Sequence, residues 1–473
     1  MQTALVKKSI RRPTGMAAFL VVWSGQLVSL VGTGMTNFAL SIYIWQTTGQ
    51  ATPFALIGFF WALPMIAFTP FAGALVDRWN RKLTMMISDI AGLLVNLAMV
   101  GLLIWGHLEM WHLYALVVFN GLFSAFQWPA YSAAISTMLD KKHFARANAL
   151  LSVAQSGSTI FAPVIAAILI TIMGISGILI LDAASFLLAI ITLAIVAIPQ
   201  PPKTELGEQA KSNIFREAAF GFRYIFRLPS LLGLQLTFFF GNLLSNFAGV
   251  LYAPMILART ANSASALASV ESVVGIGGVL GGLLISVWGG PKRRINGVIS
   301  GWFLSFCGLL AFGLVNGPLA WAMAGFFFAF VSPLINSSNQ AIWQSKIPPE
   351  IQGKVFSARS LIAQVAGPFS MLLAGPLADR VFGPAMMPGG SLAGSLGGIF
   401  GVGVGSGISL MISSVGLLGM IVAAICYTVP VIRNVETIIP DFQLPQTLEL
   451  SGESALIDSR IAVPLSPVEA EPQ

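Results

Sequence analysis

The chain has 473 residues, of which 56% are hydrophobic and only 9% are charged, and its mean hydropathy is +0.83. So few charged side chains exclude a soluble globular protein and place the chain among all-α membrane proteins. Lysine and arginine exceed the acids by 7, but loop topology explains this excess in a membrane protein, so we expect no nucleic-acid partner. Cys307 and Cys426 lie in separate apolar segments and are predicted to be packing residues, not a disulfide or metal pair.

Twelve apolar segments are long enough to cross a bilayer, which takes roughly 20 residues. The first follows a basic segment, residues 1–16, but it is longer than a signal-peptide core and lacks a convincing cleavage site, so we retain it as a span. Spans 1 to 12 are predicted at about 17–45, 53–76, 83–105, 111–138, 147–173, 175–198, 228–257, 264–288, 295–315, 317–341, 355–383 and 405–430.

The basic residues predict the topology. If the N-terminus is cytoplasmic, the inside segments hold all lysines and arginines except Arg259 and Arg380. Because cytoplasmic loops of membrane proteins are enriched in these residues, both termini are predicted to be cytoplasmic.

The longest interior polar segment, residues 199–227, divides the chain near its middle. We predict a cytoplasmic segment 1–16, a six-helix bundle 17–198, a linker 199–227, a second six-helix bundle 228–432 and a disordered cytoplasmic tail 433–473. Within the linker, residues 214–226 could form an amphipathic interfacial helix. The glycine-rich loop 386–405 is expected to be flexible, although its apolar character would also suit a segment lying on the membrane surface.

Four charges occur in six positions between spans 2 and 3, where they must face water. This segment resembles the GxxxDRxxRK signature of the major facilitator superfamily, and every defining position matches: Gly73, Asp77, Arg78, Arg81 and Lys82. The resemblance implies two pseudo-symmetric six-helix bundles and transport by alternating access. Alternatively, Arg81 and Lys82 could serve only as a cytoplasmic basic anchor.

A gating hypothesis follows from this segment. Asp77 would accept hydrogen bonds from the positive N-terminal end of span 11, near Ser357 to Arg359, and so close the cytoplasmic side. Replacing Asp77 with alanine should then favour the inward-open form.

Polar side chains recur on one face of spans 1, 4, 7 and 10. In the superfamily that the chain resembles, these four helices surround the central cavity. The alternative is that the polar groups only join helices by hydrogen bonds. The predicted cavity residues, with a neighbouring tryptophan, are Gln26, Asn37, Asn120, Gln127, Trp128, Asn242, Asn246, Asn336, Asn339 and Gln340.

Span 5 carries small residues and a proline at the positions of the antiporter motif gxxxGPxxGG: Ser158, Ala162, Pro163, Ala166 and Ala167. With Gln127-Trp-Pro-Ala130 and Arg146-Ala-Asn148, this pattern resembles the macrolide-efflux branch of drug:proton antiporters. A general contact between small residues would explain the same pattern.

Three acids within spans are candidate proton carriers: Asp89, Asp182 and Glu271. Each could instead be a structural hydrogen-bond acceptor, and Asp89 lies only about two turns from the cytoplasmic loop. Val117 stands where proton-coupled drug exporters often carry an arginine, so proton antiport is implied by the resemblance alone.

The favoured function is export of amphipathic or lipophilic, drug-like molecules across a prokaryotic plasma membrane. A siderophore or lysophospholipid transporter of the same fold is the alternative. A membrane enzyme or channel is disfavoured because no enzyme motif or charged pore ring occurs. We expect a monomer in the lipid bilayer, with no cofactor and no metal.

Overall fold

The computed structural model describes residues 13–76, 79–200 and 214–442. All regular structure in these ranges is helical, and eleven helices are long and apolar enough to cross a membrane. One of them, α5, has 52 residues and would be about 78 Å long if straight, more than twice the bilayer core. The expected all-α fold with twelve spans is therefore confirmed.

Six spans form the N-terminal bundle. The helix α5 bends at Gly174, whose φ of +66° is accessible to glycine and strained for other residues, so its two arms supply spans 5 and 6. The helices are α1 Gly15–Thr48, α2 Ala51–Val76, α3 Arg81–Ile104, α4 Met110–Met138 and α5 Phe144–Ile195.

The linker helix α6, Ile214–Arg227, precedes the C-terminal bundle. The six spans of that bundle are α7 Pro229–Arg259, α8 Ala264–Trp288, α9 Arg294–Leu314, α10 Pro318–Lys346, α11 Pro349–Leu377 and α13 Ser406–Thr428. A short helix, α12 Ala393–Phe400, lies between the last two, and α14 Pro430–Arg433 and α15 Val435–Ile438 follow them.

The two bundles repeat the same packing. Helix α2 packs on α4 as α8 packs on α10, and α3 packs on α4 as α9 packs on α10. Glycine permits the closest approach: a Cβ at Gly121 would lie 2.2 Å from the Trp61 carbonyl oxygen, and one at Gly281 would lie 2.0 Å from the Phe330 carbonyl oxygen. Close contact at small residues is a usual way to pack helices in lipid.

A repeated arginine contact marks the same symmetry. Arg81 Nη1, at the start of α3, donates to the carbonyl of Ala133 in α4 at 2.7 Å. Arg294 Nη1, at the start of α9, donates to the carbonyl of Ala341 in α10 at 3.0 Å. Ala133 and Ala341 occupy the same position in two helices of 29 residues each.

The bundles meet along two helix pairs, α2 with α11 and α5 with α8. Because the chain crosses twelve times, the start of α1 and the end of α13 lie on one side, which we call the termini face. The opposite side, with the α1–α2 connection and the end of α11, is the far face. Arg259 and Arg380, the two basic residues expected outside, lie at helix ends on the far face.

The start of the segment expected to be disordered is folded, so that expectation is wrong for residues 433–442. Glu436 accepts a hydrogen bond from the Ile295 backbone at the start of α9, and buried Lys346 forms a 2.7 Å ion pair with Asp441. This contact with Lys346 lowers the pKa of the Asp441 carboxyl. Capping and charge pairing give these residues fixed partners; residues 443–473 lie outside the described ranges.

The glycine-rich loop also contains regular structure. Phe400, at the end of α12, packs with buried Met386 and with Leu410 of α13. The Arg259 guanidinium donates to the Phe400 carbonyl. Apolar burial thus folds part of a segment whose composition suggests flexibility.

Candidate transport chamber

Four adjoining cavities, of about 410, 650, 430 and 650 Å³, lie within and between the bundles. They share lining residues such as Thr33, Asn120 and Asn242, so we describe them together as the chamber. All ten residues predicted from the polar faces line it: Gln26, Asn37, Asn120, Gln127, Trp128, Asn242, Asn246, Asn336, Asn339 and Gln340. Their contact with a transported molecule stays a prediction.

Asp89 of α3 joins the polar faces of α1 and α4. Gln26 Nε2 donates to one carboxylate oxygen at 2.8 Å, and Gln127 Nε2 donates to the other at 3.1 Å. Gln127 also donates to Gln26 Oε1 at 2.9 Å. The two glutamines therefore hold a buried carboxylate at the chamber wall, which combines the structural role and the chamber-lining role considered for these residues.

Asp182, on the second arm of α5, is 1% exposed. Asn96 Nδ2 of α3 donates to one of its oxygens at 2.7 Å, and Ser185 Oγ donates to the other at 3.0 Å. Gly32 of α1 lies against this pair, where an added Cβ would come within 2.6 Å of Asp182 Oδ1. The absence of a side chain at Gly32 thus lets α1 approach the acid closely.

Glu271, on α8, lies in a different part of the chamber. Tyr252 of α7 donates its hydroxyl hydrogen to Glu271 Oε1 at 2.9 Å. Both residues line the cavity of about 410 Å³, together with Asn37 and Gln155. The three predicted proton carriers are therefore separate groups with different partners; any proton transfer through them stays a prediction.

Arg359 of α11 is the chamber's basic residue. Its Nη2 donates to Gln340 Oε1 at 2.8 Å, and its guanidinium lies over the rings of Trp343 and Phe356. Trp343 in turn donates to Asn339 Oδ1 at 3.0 Å. The predicted gate residue Arg359 thus lies against the predicted cavity residues of the C-terminal bundle.

The charged segment between α2 and α3 is described in part. Arg81 binds the Ala133 carbonyl, and Lys82 Nζ donates to the carbonyls of Ala194 and Val196 at 2.8 Å each. Cations at the carbonyl end of a helix are favourable, so these residues join α3 to the ends of α4 and α5. Gly73 lies in α2, whereas Asp77 and Arg78 lie outside the described residues, and so does the predicted contact of Asp77 with α11.

The antiporter-like residues of α5 form the contact with α1. Ser158 Oγ donates to the Leu30 carbonyl at 2.9 Å, and an added Cβ at Gly34 would lie 2.7 Å from Ala162 Cβ. The predicted residues Ser158, Ala162, Pro163, Ala166 and Ala167 occupy one continuous stretch of the first arm. All of them except Ala167 are buried.

Asp379 joins the two bundles on the far face. Its Oδ1 accepts from the Ala51 backbone N–H at 2.9 Å, and its Oδ2 accepts from the Thr52 backbone N–H at 2.7 Å and from the Thr52 hydroxyl. The first N–H groups of a helix lack intrahelical partners and carry the positive end of its dipole. A carboxylate from the end of α11 therefore caps α2, and we call this contact the far-face latch.

Sequence reasoning missed three partners that complete these sites: Asn96, Tyr252 and Thr52. Asn96 and Tyr252 are isolated polar residues in apolar spans, which is a signal for a buried hydrogen bond. Apart from the position of both residues at span ends, nothing in the sequence indicates that Thr52 pairs with Asp379.

The family model of the Major Facilitator Superfamily matches residues 22–371. Macrolide efflux protein A of Streptococcus pyogenes is 27% identical over 369 residues, covering 77% of this chain and 90% of that protein. The multidrug efflux pump Tap of Mycolicibacterium fortuitum is 26% identical over 387 residues, covering 77% and 90%.

Solved structures share the fold. A bacterial homologue of the human lysosomal transporter Spinster, in an inward-facing and unoccupied conformation, superposes with a TM-score of 0.63 at 15% identity, covering 86% of this chain and 94% of that chain. The nucleoside transporter NupG superposes with a TM-score of 0.60 at 14% identity, covering 88% and 100%.

Proposed function

Because the chain belongs to the major facilitator superfamily, we propose that it exports amphipathic or lipophilic small molecules of the macrolide or drug type by proton antiport. The observation that carries the proposal is the chamber between two six-helix bundles, lined by amides, aromatic rings and three acids. The efflux relatives support this class of substrate.

Alternating access would work by rocking of the bundles around the chamber. The far-face latch holds α2 against α11 on one side. On the other, Asp77 would cap the start of α11 in the alternate state. Rocking would therefore break the cap on the start of α2 at the far face and form a cap on the start of α11 at the termini face.

Export and coupling need an orientation and a proton site. We assign the termini face to the cytoplasm of a prokaryotic cell, because nearly all lysines and arginines belong to its segments. Asp89, Asp182 and Glu271 are the groups that can exchange protons with the chamber. We expect no enzymatic activity and no cofactor, and we expect a monomer to suffice for transport.

The test uses purified protein in liposomes with an imposed proton gradient. A macrolide should move against its own gradient, and adding it should release protons that a trapped pH dye records. The proposal would be contradicted if neither a macrolide nor another drug-like amphiphile caused proton release and the liposomes transported a siderophore or a lysophospholipid instead.

A further inference from the structure

The cavity of about 430 Å³ lies in the C-terminal bundle, where it is lined by α7, α10 and α11. Gln235 lies near the start of α7, Gln340 near the end of α10 and Arg359 in the first half of α11, all toward the termini face. The cavity shares Asn242 with a larger cavity between the bundles. It is therefore a side pocket of the chamber, and we call it the Arg359 pocket.

Arg359 is the charged residue of this pocket. The described residues that line it include no lysine, histidine, second arginine or acid. Arg359 Nη2 donates to Gln340 Oε1 at 2.8 Å, whereas Nη1 is buried and has no hydrogen-bond partner among the described residues. The rings of Trp343 and Phe356 lie 5.4 and 5.5 Å from the guanidinium carbon. A ring face attracts the positive charge but does not replace an oxygen acceptor for a buried N–H group.

Amide groups add further donors near the guanidinium. Asn339 Oδ1 accepts from Trp343, and Gln340 Oε1 accepts from Arg359. No described residue accepts a hydrogen bond from the N–H groups of these two amides. Gln235 Nε2 donates to the Arg359 backbone carbonyl at 3.1 Å and so joins α7 to α11 beside the pocket. The pocket thus combines a positive charge with free donors, and no described residue in its lining supplies a negative charge.

An oxyanion would supply the missing acceptor and the missing charge. A buried charge is costly without a counter-charge and hydrogen bonds. Guanidinium groups bind carboxylates and phosphates through two N–H groups at once, in hydrogen bonds that are stronger than those between neutral groups. Phe238 and Phe356 line the same pocket, so an apolar group attached to the anion would also be shielded from water. The ligand that fits is an amphiphile with one oxyanion head group.

We propose that the Arg359 pocket binds the oxyanion head group, a carboxylate or a phosphate, of an amphipathic ligand whose apolar body extends past Asn242 into the larger cavity. The inference rests on the proposed export function and deepens it, because it adds anionic amphiphiles to the substrate class. The pocket lies toward the termini face, from which an exported molecule would enter. Asp89, Asp182 and Glu271 line the other three cavities of the chamber.

The test compares naphthaleneacetate with naphthaleneacetamide, which has nearly the same shape and no charge. Titration calorimetry measures the binding of each to the purified full chain in phosphatidylcholine nanodiscs, with empty nanodiscs as the reference. Because a hydrogen bond to a charged group contributes more than a neutral one, the wild type should bind the carboxylate at least about tenfold tighter than the amide. In Arg359→Gln, the Kd for the carboxylate should rise at least about tenfold, whereas the Kd for the amide should change less than about twofold.

Two variants separate the charge from its position. Arg380→Gln makes the same substitution at the exposed arginine that follows α11 on the far face, and it should keep the full preference for the carboxylate. Arg359→Lys keeps the positive charge but not the planar pair of donors, so it should keep a smaller preference. Loss of the preference in either variant, or equal weakening of both compounds in Arg359→Gln, would overturn the inference.

A wild-type measurement covers the case in which Arg359→Gln does not fold. Azido derivatives of both compounds bind covalently to nearby residues under ultraviolet light, and mass spectrometry of the digested protein locates the labelled residues. The carboxylate probe should label residues of the Arg359 pocket, such as Phe238 and Phe356, far more than the amide probe does. Labelling of the pocket by both probes to the same extent, or by neither, would overturn the inference.

The oxyanion has two sources, a membrane lipid and a free amphiphile, and native mass spectrometry of the purified protein distinguishes them. An anionic lipid that stays bound to the wild type and is lost in Arg359→Gln would support the pocket and identify a lipid phosphate as its ligand. Wild-type protein without bound lipid that shows the preference for the carboxylate would support a free amphiphile as the ligand.

Transport in liposomes separates this inference from the export proposal. Export of a macrolide by the wild type, without any preference for the carboxylate in binding, would reject the pocket assignment alone. A preference for the carboxylate without export of any amphiphile would reject the proposed function and leave the pocket as a binding site.

Discussion

At the scale of single residues, the buried acid Asp182 has an amide partner that matches its chemistry. Asp182 and Asn96 are 1% and 3% exposed, and the bond between them spans 2.7 Å from α5 to α3. Loss of the Asn96 amide would cost free energy mainly because it leaves the Asp182 acceptor without this donor, and less because of the strength of the hydrogen bond itself. An acceptor that loses its donor away from water keeps its full desolvation cost.

Replacing Asn96 with leucine should therefore destabilise the protein by about 1–3 kcal/mol. Thermal unfolding of the purified protein in detergent measures this as a lower midpoint temperature. The double variant Asn96→Leu/Asp182→Leu should be more stable than the sum of the two single changes predicts, because it leaves no orphaned partner. An unchanged midpoint in Asn96→Leu would contradict the assignment.

The repeated arginines provide a matched comparison. Arg81 is 9% exposed, whereas Arg294 is exposed, although each donates to the equivalent carbonyl. We expect Arg81→Met to lower the free energy of unfolding by about 1.5–3 kcal/mol and Arg294→Met by under about 1 kcal/mol. Urea unfolding followed by tryptophan fluorescence tests the order; a larger loss for Arg294→Met would refute it.

At the scale of helices, α2 and α11 form one of the two main contacts between the bundles. A Cβ at Gly375 would lie 2.6 Å from Thr52 Cα, so the two backbones approach closely beside the far-face latch. Asp379 itself sits in the π-helical turn Ala378–Phe382, at the end of α11. Such turns redirect side chains away from the regular helical positions. This one presents the carboxylate to the start of α2.

Replacing Asp379 with alanine should shift the bundles toward the form that is open on the far face. Loss of a capping carboxylate costs about 1 kcal/mol, which corresponds to a roughly fivefold change in population. Double electron–electron resonance measures the distance between spin labels at Thr47→Cys and Val381→Cys in a background without the native cysteines. Asp379→Ala should show a larger population of long distances than the protein that keeps Asp379.

A neighbouring charge serves as the control for the latch. Arg380→Ala removes an exposed charge next to Asp379 and should leave the distance distribution unchanged. If Asp379→Ala and Arg380→Ala give the same distribution, the latch does not hold the far face closed. Asp77→Ala should shift the population in the opposite direction, toward opening at the termini face.

At the scale of the whole molecule, twelve crossings and two repeated bundles place both ends of the membrane domain on one face. The described part of the C-terminal segment packs against the C-terminal bundle at the termini face, where Glu436 contacts the start of α9 and Asp441 contacts Lys346 of α10. A basic termini face and a poorly charged far face predict that the termini face lies in the cytoplasm.

Cysteine labelling in intact cells tests that orientation. His107→Cys, in the α3–α4 connection of the far face, should react with a membrane-impermeant maleimide. Lys142→Cys, in the α4–α5 connection of the termini face, should react only after the cells are permeabilised. The reverse pattern would overturn the assignment of the termini face to the cytoplasm.

The sequence by itself determined the features that depend on neighbouring residues. Apolar length predicts the twelve spans, and helical periodicity predicts that Gln26 and Asn37 share a face with other chamber residues, because both signals are local. The tertiary structure alone decided the partners. Gln26 and Asp89 are 63 positions apart, and Ala51 and Asp379 are 328 positions apart. No local pattern specifies such pairs, because they depend on how whole helices pack across and between the bundles.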